Sequence, residues 1–101
     1  MSIAAPAAEA GARNLECRAR GGDRQYALFL DWDGNVAHGI LQTTMGGRTW
    51  SQKVQAELYK ALVLVNPAGS PSPEQRLATV REEGEKTMQV GDWRQPWLAC
   101  E

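Results

Sequence analysis

The stretch that decides the fold is residues 15–43, which reads LECRARGGDRQYALFLDWDGNVAHGILQT. Residues 15–20 alternate apolar with charged side chains, which is typical of a strand with one buried face. Residues 26–32 alternate in the same way but are apolar on both faces, and they end at Asp33-Gly34-Asn35. Because glycine and asparagine tolerate positive φ, this tripeptide predicts a hairpin, and residues 36–43 return as a third strand. The stretch therefore predicts an antiparallel meander.

Residues 51–62 are compatible with a helix and with a strand. Val54, Leu58 and Leu62 are spaced by four, and Ser51 could cap a helix that begins there. The same residues could instead form a long strand after Trp50. The sequence alone leaves both structures open.

Residues 73–83 allow a second pair of alternatives. Ser72-Pro73 has the form of a helix start, with a capping residue before a proline. The competing structure is a hairpin of residues 76–82 against 86–90, which turns at Glu83-Gly84. We favour the hairpin, because glutamates crowd the end of the helix, where negative charge is unfavourable.

The two cysteines lie near the ends of the patterned sequence, Cys17 in the first strand and Cys100 as the penultimate residue. The chain has no CxxC motif and no Cys/His cluster, so a structural disulfide is favoured over a redox pair or metal ligands. Such a bond persists in oxidising compartments such as the periplasm or the cell exterior. We expect Cys17 and Cys100 to be bonded and the protein to be periplasmic or secreted.

These patterns predict a mainly β fold, a small antiparallel β-barrel or sandwich closed by a terminal disulfide. The alternative is an α+β fold with helices near residues 51–62 and 73–83. Residues 1–13, rich in alanine, are expected to be a flexible N-terminal spacer, and residues 14–101 a single β domain.

Composition narrows the classes of function. The net charge of −1 argues against a strongly basic protein that binds nucleic acid. No apolar run approaches the roughly 20 residues that a membrane helix needs. Gly46-Gly47 lacks the spacing and the lysine of a phosphate-binding loop, and we expect no cofactor.

Asp31-Trp32-Asp33-Gly34 follows an apolar strand, and this motif resembles the nucleophile motif of the haloacid-dehalogenase-like phosphatases. The resemblance implies Asp31 as the nucleophile and Asp33 as the general acid/base, and it implies that both help to place magnesium. Asn35 stands where threonine is usual in that family, and the later acidic pair has no counterpart. A hairpin turn explains the same residues, so the phosphatase site is the alternative.

Tryptophan and arginine residues offer a candidate binding face. Trp32 alternates with core positions, so it is expected to be buried. The remaining tryptophans border predicted turns and have arginines nearby, and both residue types are favoured at protein-binding hot spots. The candidate face consists of Arg48, Trp50, Trp93, Arg94 and Trp97. The alternative, which we favour from the sequence alone, is that these indoles cover the ends of a small core.

The position of the cysteines is similar to that in the membrane-bound or periplasmic C-type lysozyme inhibitors. Those are small exported β-barrels with one cysteine in the first strand and another near the end. Their active loop carries a Ser-Gly-x-x-Tyr pattern, and residues 45–50 fall in a comparable place. Gly46 is kept, while Met45 stands for the serine and Thr49 for the tyrosine.

The function that we expect is a non-enzymatic binding or inhibitor protein of the bacterial envelope, whose partner is another protein. A phosphatase with its site at Asp31 and Asp33 is one alternative. A purely structural envelope domain is the other.

Overall fold

The computed structural model describes residues 14–101 and consists of strands and one short 3₁₀ helix, Pro73–Gln75. The strands are β1 (Asn14–Gly21), β2 (Arg24–Asp33), β3 (Val36–Met45), β4 (Arg48–Tyr59), β5 (Leu62–Pro67), β6 (Ala78–Arg81), β7 (Thr87–Val90) and β8 (Trp97–Ala99). Each strand pairs antiparallel with the next in the chain, so the eight strands form one continuous meander. The mainly β prediction is confirmed. The proposed spacer, residues 1–13, lies outside the described residues.

The two ends of the meander meet, so the sheet is a nearly closed barrel. The backbone N–H of Glu101 donates to the carbonyl of Arg18 on β1 at 2.7 Å. Beside this contact, Cys17 and Cys100 form a disulfide with their Cα atoms 4.9 Å apart. The predicted bond is thereby confirmed, and it joins the first strand to the end of the last.

One face of every strand lines the barrel interior, as the alternation of apolar residues predicts. Trp32 is 3% exposed, which confirms its predicted burial. The largest fully buried side chains are Leu28, Leu30, Met88, Val54, Val63, Val65, Val80 and Cys17. Buried apolar residues come from β1 to β7, and Leu98 of β8 is partly buried against them, so the core contacts strands all around the barrel.

The tight turns of the hairpins contain glycines with positive φ. Gly34 has a φ of 68° in the β2–β3 turn, and Gly46 and Gly47 have φ values of 60° and 79° in the β3–β4 turn. Glycine adopts these conformations at little cost. Strand β3 ends at Met45, two residues later than the predicted third strand.

The helix alternative for residues 51–62 is wrong, because this segment is most of β4 and the start of β5. Val54 and Ala56 are buried on the inner face of β4, as a period of two requires. The spacing of four that favoured a helix is a multiple of two. It therefore also places Val54 and Leu58 on the same face of a strand.

The helix alternative for residues 73–83 is also wrong beyond its first turn. The Ser72 hydroxyl does accept a hydrogen bond from the Glu74 N–H at 3.3 Å, but the 3₁₀ helix ends at Gln75. The chain then continues as β6, because Ala78 and Val80 alternate into the core. The favoured hairpin is confirmed in its pairing of β6 with β7.

The connection between β5 and β6 is organised by one buried polar side chain, Asn66, which is 4% exposed. Its Nδ2 donates to the carbonyls of Ser70 at 2.9 Å and Ser72 at 2.6 Å. Its Oδ1 accepts a hydrogen bond from Arg76 Nε at 2.6 Å. Asn66 therefore ties both halves of the connection to β5.

We predict that Asn66→Ala lowers the free energy of unfolding by about 2–3 kcal/mol, because it leaves two carbonyls and a guanidinium without their buried partner. Urea denaturation followed by circular dichroism measures this loss. Ser70→Ala is the control, since only the backbone carbonyl of Ser70 takes part in the network. Equal stability of the two variants would show that the network contributes nothing.

Candidate binding surface at one end of the barrel

The turns and loops of the meander fall alternately at its two ends. Residues 21–24, 45–48, 67–78 and 90–97 connect strands at one end, which we call the upper end. Residues 33–36, 59–62 and 81–87 connect strands at the other, which we call the lower end. All five residues of the candidate face lie in or beside the upper connections.

The loop between β7 and β8, residues 91–96, presents Trp93 with 82% of its surface exposed. The buried side chain of Gln89 binds the backbone of this loop. Its Nε2 donates to the carbonyls of Trp93 at 3.3 Å and Gln95 at 2.9 Å. A large exposed indole is thus attached to a backbone that is fixed by hydrogen bonds.

Asp92 and Arg94 form a second brace within the same loop. Asp92 Oδ1 accepts from the backbone N–H of Arg94 at 3.0 Å, and Oδ2 accepts from its Nη2 at 2.7 Å. The side-chain hydrogen bond from Arg94 is the main cause that lowers the pKa of Asp92, and the same bond raises the pKa of Arg94. The guanidinium carbon also lies 6.0 Å from the centre of the Trp93 ring. Both groups are therefore charged at neutral pH, and they restrain the loop beside the indole.

Trp97 opens β8 and is half-buried. The guanidinium of Arg81 lies 4.3 Å from the centre of its ring, which is a cation–π distance. Arg81 belongs to β6, two strands away in the sheet order. Arg81, at the lower end of β6, thus covers the ring of Trp97, a contact that the sequence pattern did not indicate.

Trp50 lies on the inner face of β4, in the same alternation as Val54, yet it is 48% exposed. The reason is that β5 pairs with β4 only from Val54 onward, so the start of β4 extends past the closed part of the barrel. In the register, Trp50 is opposite Thr43, which in turn is opposite Tyr26. The indole therefore lies over the open upper end rather than in the core.

Arg48 has a comparable position at the first residue of β4. It is opposite Met45, and Met45 is opposite Arg24 on β2. Arg24 therefore shares a face with Arg48, and it is a second basic residue that the sequence analysis did not include. The upper end of the β2–β3–β4 sheet combines two arginines with Tyr26 and Trp50.

The five predicted residues fall into two clusters. Arg48 and Trp50 belong to β4, whereas Trp93, Arg94 and Trp97 belong to β8 and the loop before it, four strands away in the sheet order. A cleft of about 310 Å³ opens between the β1–β2 turn and the β7–β8 loop, lined by Arg20, Gly22, Tyr26, Val90, Pro96 and Leu98. Tyr26 lines this cleft and shares a cross-strand row with Trp50, whereas Trp93, Arg94 and Trp97 do not line it.

Asp31 and Asp33 lie on the outer face of β2, where both are exposed. Their partners across the β2–β3 pair are His38 and Val36. The sheet is antiparallel throughout the described residues, and within residues 14–101 no three His, Cys, Asp or Glu side chains are grouped closely enough to hold a metal ion. Asp31 and Asp33 are therefore exposed side chains at the end of the β2–β3 hairpin.

No protein-family model, curated protein sequence or solved structure matches this chain. Over residues 14–101, the structure contains no helix of the length and apolar character that a membrane span requires.

Proposed function

We propose that this chain is a non-enzymatic binding protein, of the inhibitor kind, that is exported to the bacterial periplasm or beyond and binds another protein through its upper end. The observation that carries the proposal is the exposure of Trp93 on a braced loop. An indole that is 82% exposed leaves a large apolar surface in water. Burial of that surface against a partner is favourable.

The bracing of the loop strengthens this argument. Binding costs conformational entropy for each group that must become ordered. The hydrogen bonds from Gln89 and the Asp92–Arg94 pair already restrain the loop in the free protein. Tryptophan and arginine are also the residue types most enriched at binding hot spots. The upper end therefore supplies anchors that lose little freedom when they bind.

The kind of partner follows from the shape of the surface. Small-molecule sites are concave and enclose most of their ligand. Trp93 and Trp50 instead project from hairpin ends, which suits the broad surface of a protein. The resemblance to C-type lysozyme inhibitors supports the same class, since residues 45–50 form the end of the β3–β4 hairpin.

The disulfide supports the proposed export of the protein to the periplasm or the cell exterior. A bond between residues that lie 83 positions apart persists where thiols are oxidised, as in the periplasm and outside the cell, and is rare in the cytosol.

Site-specific photo-crosslinking in the producing organism tests the proposal. A photoreactive phenylalanine derivative replaces Trp93, Trp50 or Tyr59 in turn. Tyr59 is the matched control, because it is an aromatic residue that is 56% exposed at the lower end. We expect one discrete adduct with the same protein at positions 93 and 50, identified by mass spectrometry, and none at 59.

Adducts at position 59 alone would contradict the proposal by moving the contact to the lower end. Absence of adducts at all three positions would favour a purely structural role for the domain.

A further inference from the structure

Among residues 14–101, the start of β4 pairs with β3 on one side and has no neighbouring strand on the other. Strand β4 has 12 residues and β5 has 6, and their pairing begins at Val54 and Pro67. The last contact beyond this pairing is the bond from the Ala68 N–H to the Lys53 carbonyl at 3.1 Å. Every residue from 48 to 53 is exposed. We call residues 48–52 the free β4 edge.

The register identifies which backbone groups of this edge are available. Met45 and Arg48 flank the two-residue β3–β4 turn, so they form a hydrogen-bonded pair across the hairpin. In an antiparallel pair, such residues alternate with residues whose N–H and C=O groups point away from the partner strand. The backbone N–H and C=O groups of Thr49 and Ser51 therefore point toward the side on which β5 would lie if it were longer. The Lys53 carbonyl, two residues further on, points to that side and meets Ala68 there.

Within residues 14–101, no loop backbone is hydrogen-bonded to Thr49 or Ser51 on this side. Among the strands that the structure describes, β4 has β3 and β5 as its neighbours in the sheet order, and β5 does not reach these residues. Unpaired edges of this kind are templates for a strand from another chain. Addition of an extended peptide to a free edge is a common mode of recognition, in which the backbone provides affinity and the side chains provide specificity.

Charge indicates the chemistry of the added strand. The sequence has no aspartate or glutamate between Asp33 and Glu57, whereas the same stretch contains Arg48 and Lys53. Arg24 adds a third cation on the same face as Arg48. A second copy of this chain would bring further cations and no carboxylate to the edge. An acidic segment would complement it.

We propose that the free β4 edge binds an extended acidic segment of a partner protein as an added β-strand. The N–H and C=O groups of Thr49 and Ser51 pair with the backbone of that segment. Its outward carboxylates lie on the same face as Lys53, and its inward side chains pack on Trp50, which shares the inner face of β4 with Arg48. This inference rests on the proposed function in that it assigns the partner's contact to one edge of the upper end.

Two synthetic peptides of about ten residues test the proposal, since strands of this length are ordinary in sheets. One alternates valine with glutamate, and its matched control alternates valine with lysine. Amide hydrogen exchange measured by NMR reports which backbone groups become protected. We expect the glutamate peptide to protect the Thr49 and Ser51 amides and the lysine peptide to leave them unprotected. Equal binding of both peptides, or no added protection at these two amides, would overturn the proposal.

A pair of substitutions at one position separates the backbone from the side chain. Ser51→Pro removes the N–H on the free side of β4, where proline is tolerated because no ladder bond is lost. Ser51→Ala keeps that N–H. We expect the proline variant to bind the glutamate peptide at least tenfold more weakly and the alanine variant to match the unmodified protein. Unchanged affinity in a folded Ser51→Pro protein would overturn the proposal. If that variant does not fold, amide protection in the unmodified protein decides alone.

Two further outcomes would also overturn it. A dimer detected by sedimentation and abolished by Ser51→Pro would make a second copy of the chain the occupant. Photo-crosslinking at Trp93, combined with failure of the glutamate peptide to bind, would exclude the free β4 edge while the proposed function stands.

Discussion

Loss of the Cys17–Cys100 disulfide is expected to lower the free energy of unfolding by roughly 4–5 kcal/mol. The bond closes a loop between residues 83 positions apart, and restraint of the unfolded chain grows with loop length. It also joins β1 to the C-terminal residues at the closure of the barrel. Urea denaturation of the oxidised protein and of the double variant Cys17→Ala with Cys100→Ala measures the difference.

A reducing agent provides the control for this prediction. It should destabilise the unmodified protein and leave the double variant unchanged, because that variant has no bond to reduce. Denaturation midpoints that agree between the oxidised protein and the double variant would show that the barrel closes without the bond.

Gly39→Ala is expected to destabilise the fold by about 3 kcal/mol through steric overlap in the barrel wall. A Cβ atom at this position would lie 1.8 Å from the backbone carbonyl oxygen of Phe29 and 3.0 Å from the Cα of Leu30. Both are backbone atoms of β2, so neither can rotate away as a side chain can. Thermal and urea unfolding of the purified variant measure the loss.

Gly21→Ala is the matched control, because its Cβ would meet the end of the Leu98 side chain, with the nearest atom at 3.0 Å. Leu98 can adjust its rotamer, so a loss below about 1 kcal/mol is expected there. If Gly39→Ala proves as stable as Gly21→Ala, β2 and β3 are less closely packed than the structure shows.

Local patterns predict much of this fold. Alternation in residues 15–20 and 26–32, with glycines at the turns, is enough for the first three strands. The terminal positions of the two cysteines are enough for the disulfide. These features depend on neighbouring residues or on the absence of other partners, and a single sequence contains that information.

The ambiguous segments show where such patterns become insufficient. A spacing of four, as between Val54 and Leu58, is compatible with a helix and with a strand, so tertiary pairing with β3 and β5 decides. Ser72 and Pro73 do begin a helical turn. This helical turn ends after three residues, because the chain must continue as a strand to bury Ala78 and Val80 in the core.

The candidate site depends on relations between strands that the sequence does not contain. The contact of Arg81 with Trp97 joins β6 to β8 across β7, and it requires the register of two hairpins. The free β4 edge results from the unequal lengths of β4 and β5. Tryptophans near turns did indicate the upper end, but the division of the five predicted residues into two clusters follows from the strand order.

We expect this barrel to bind a protein partner through its upper end. Isothermal titration calorimetry with the partner identified by crosslinking measures this binding, with Trp93→Ala compared with Tyr59→Ala. Trp93 is braced at the upper end and Tyr59 is exposed at the lower end, so each truncation removes an accessible ring. We predict at least tenfold weaker binding for Trp93→Ala, with an unchanged unfolding midpoint, and no change in affinity for Tyr59→Ala. Equal affinity of the Trp93→Ala variant and the unmodified protein would contradict this expectation.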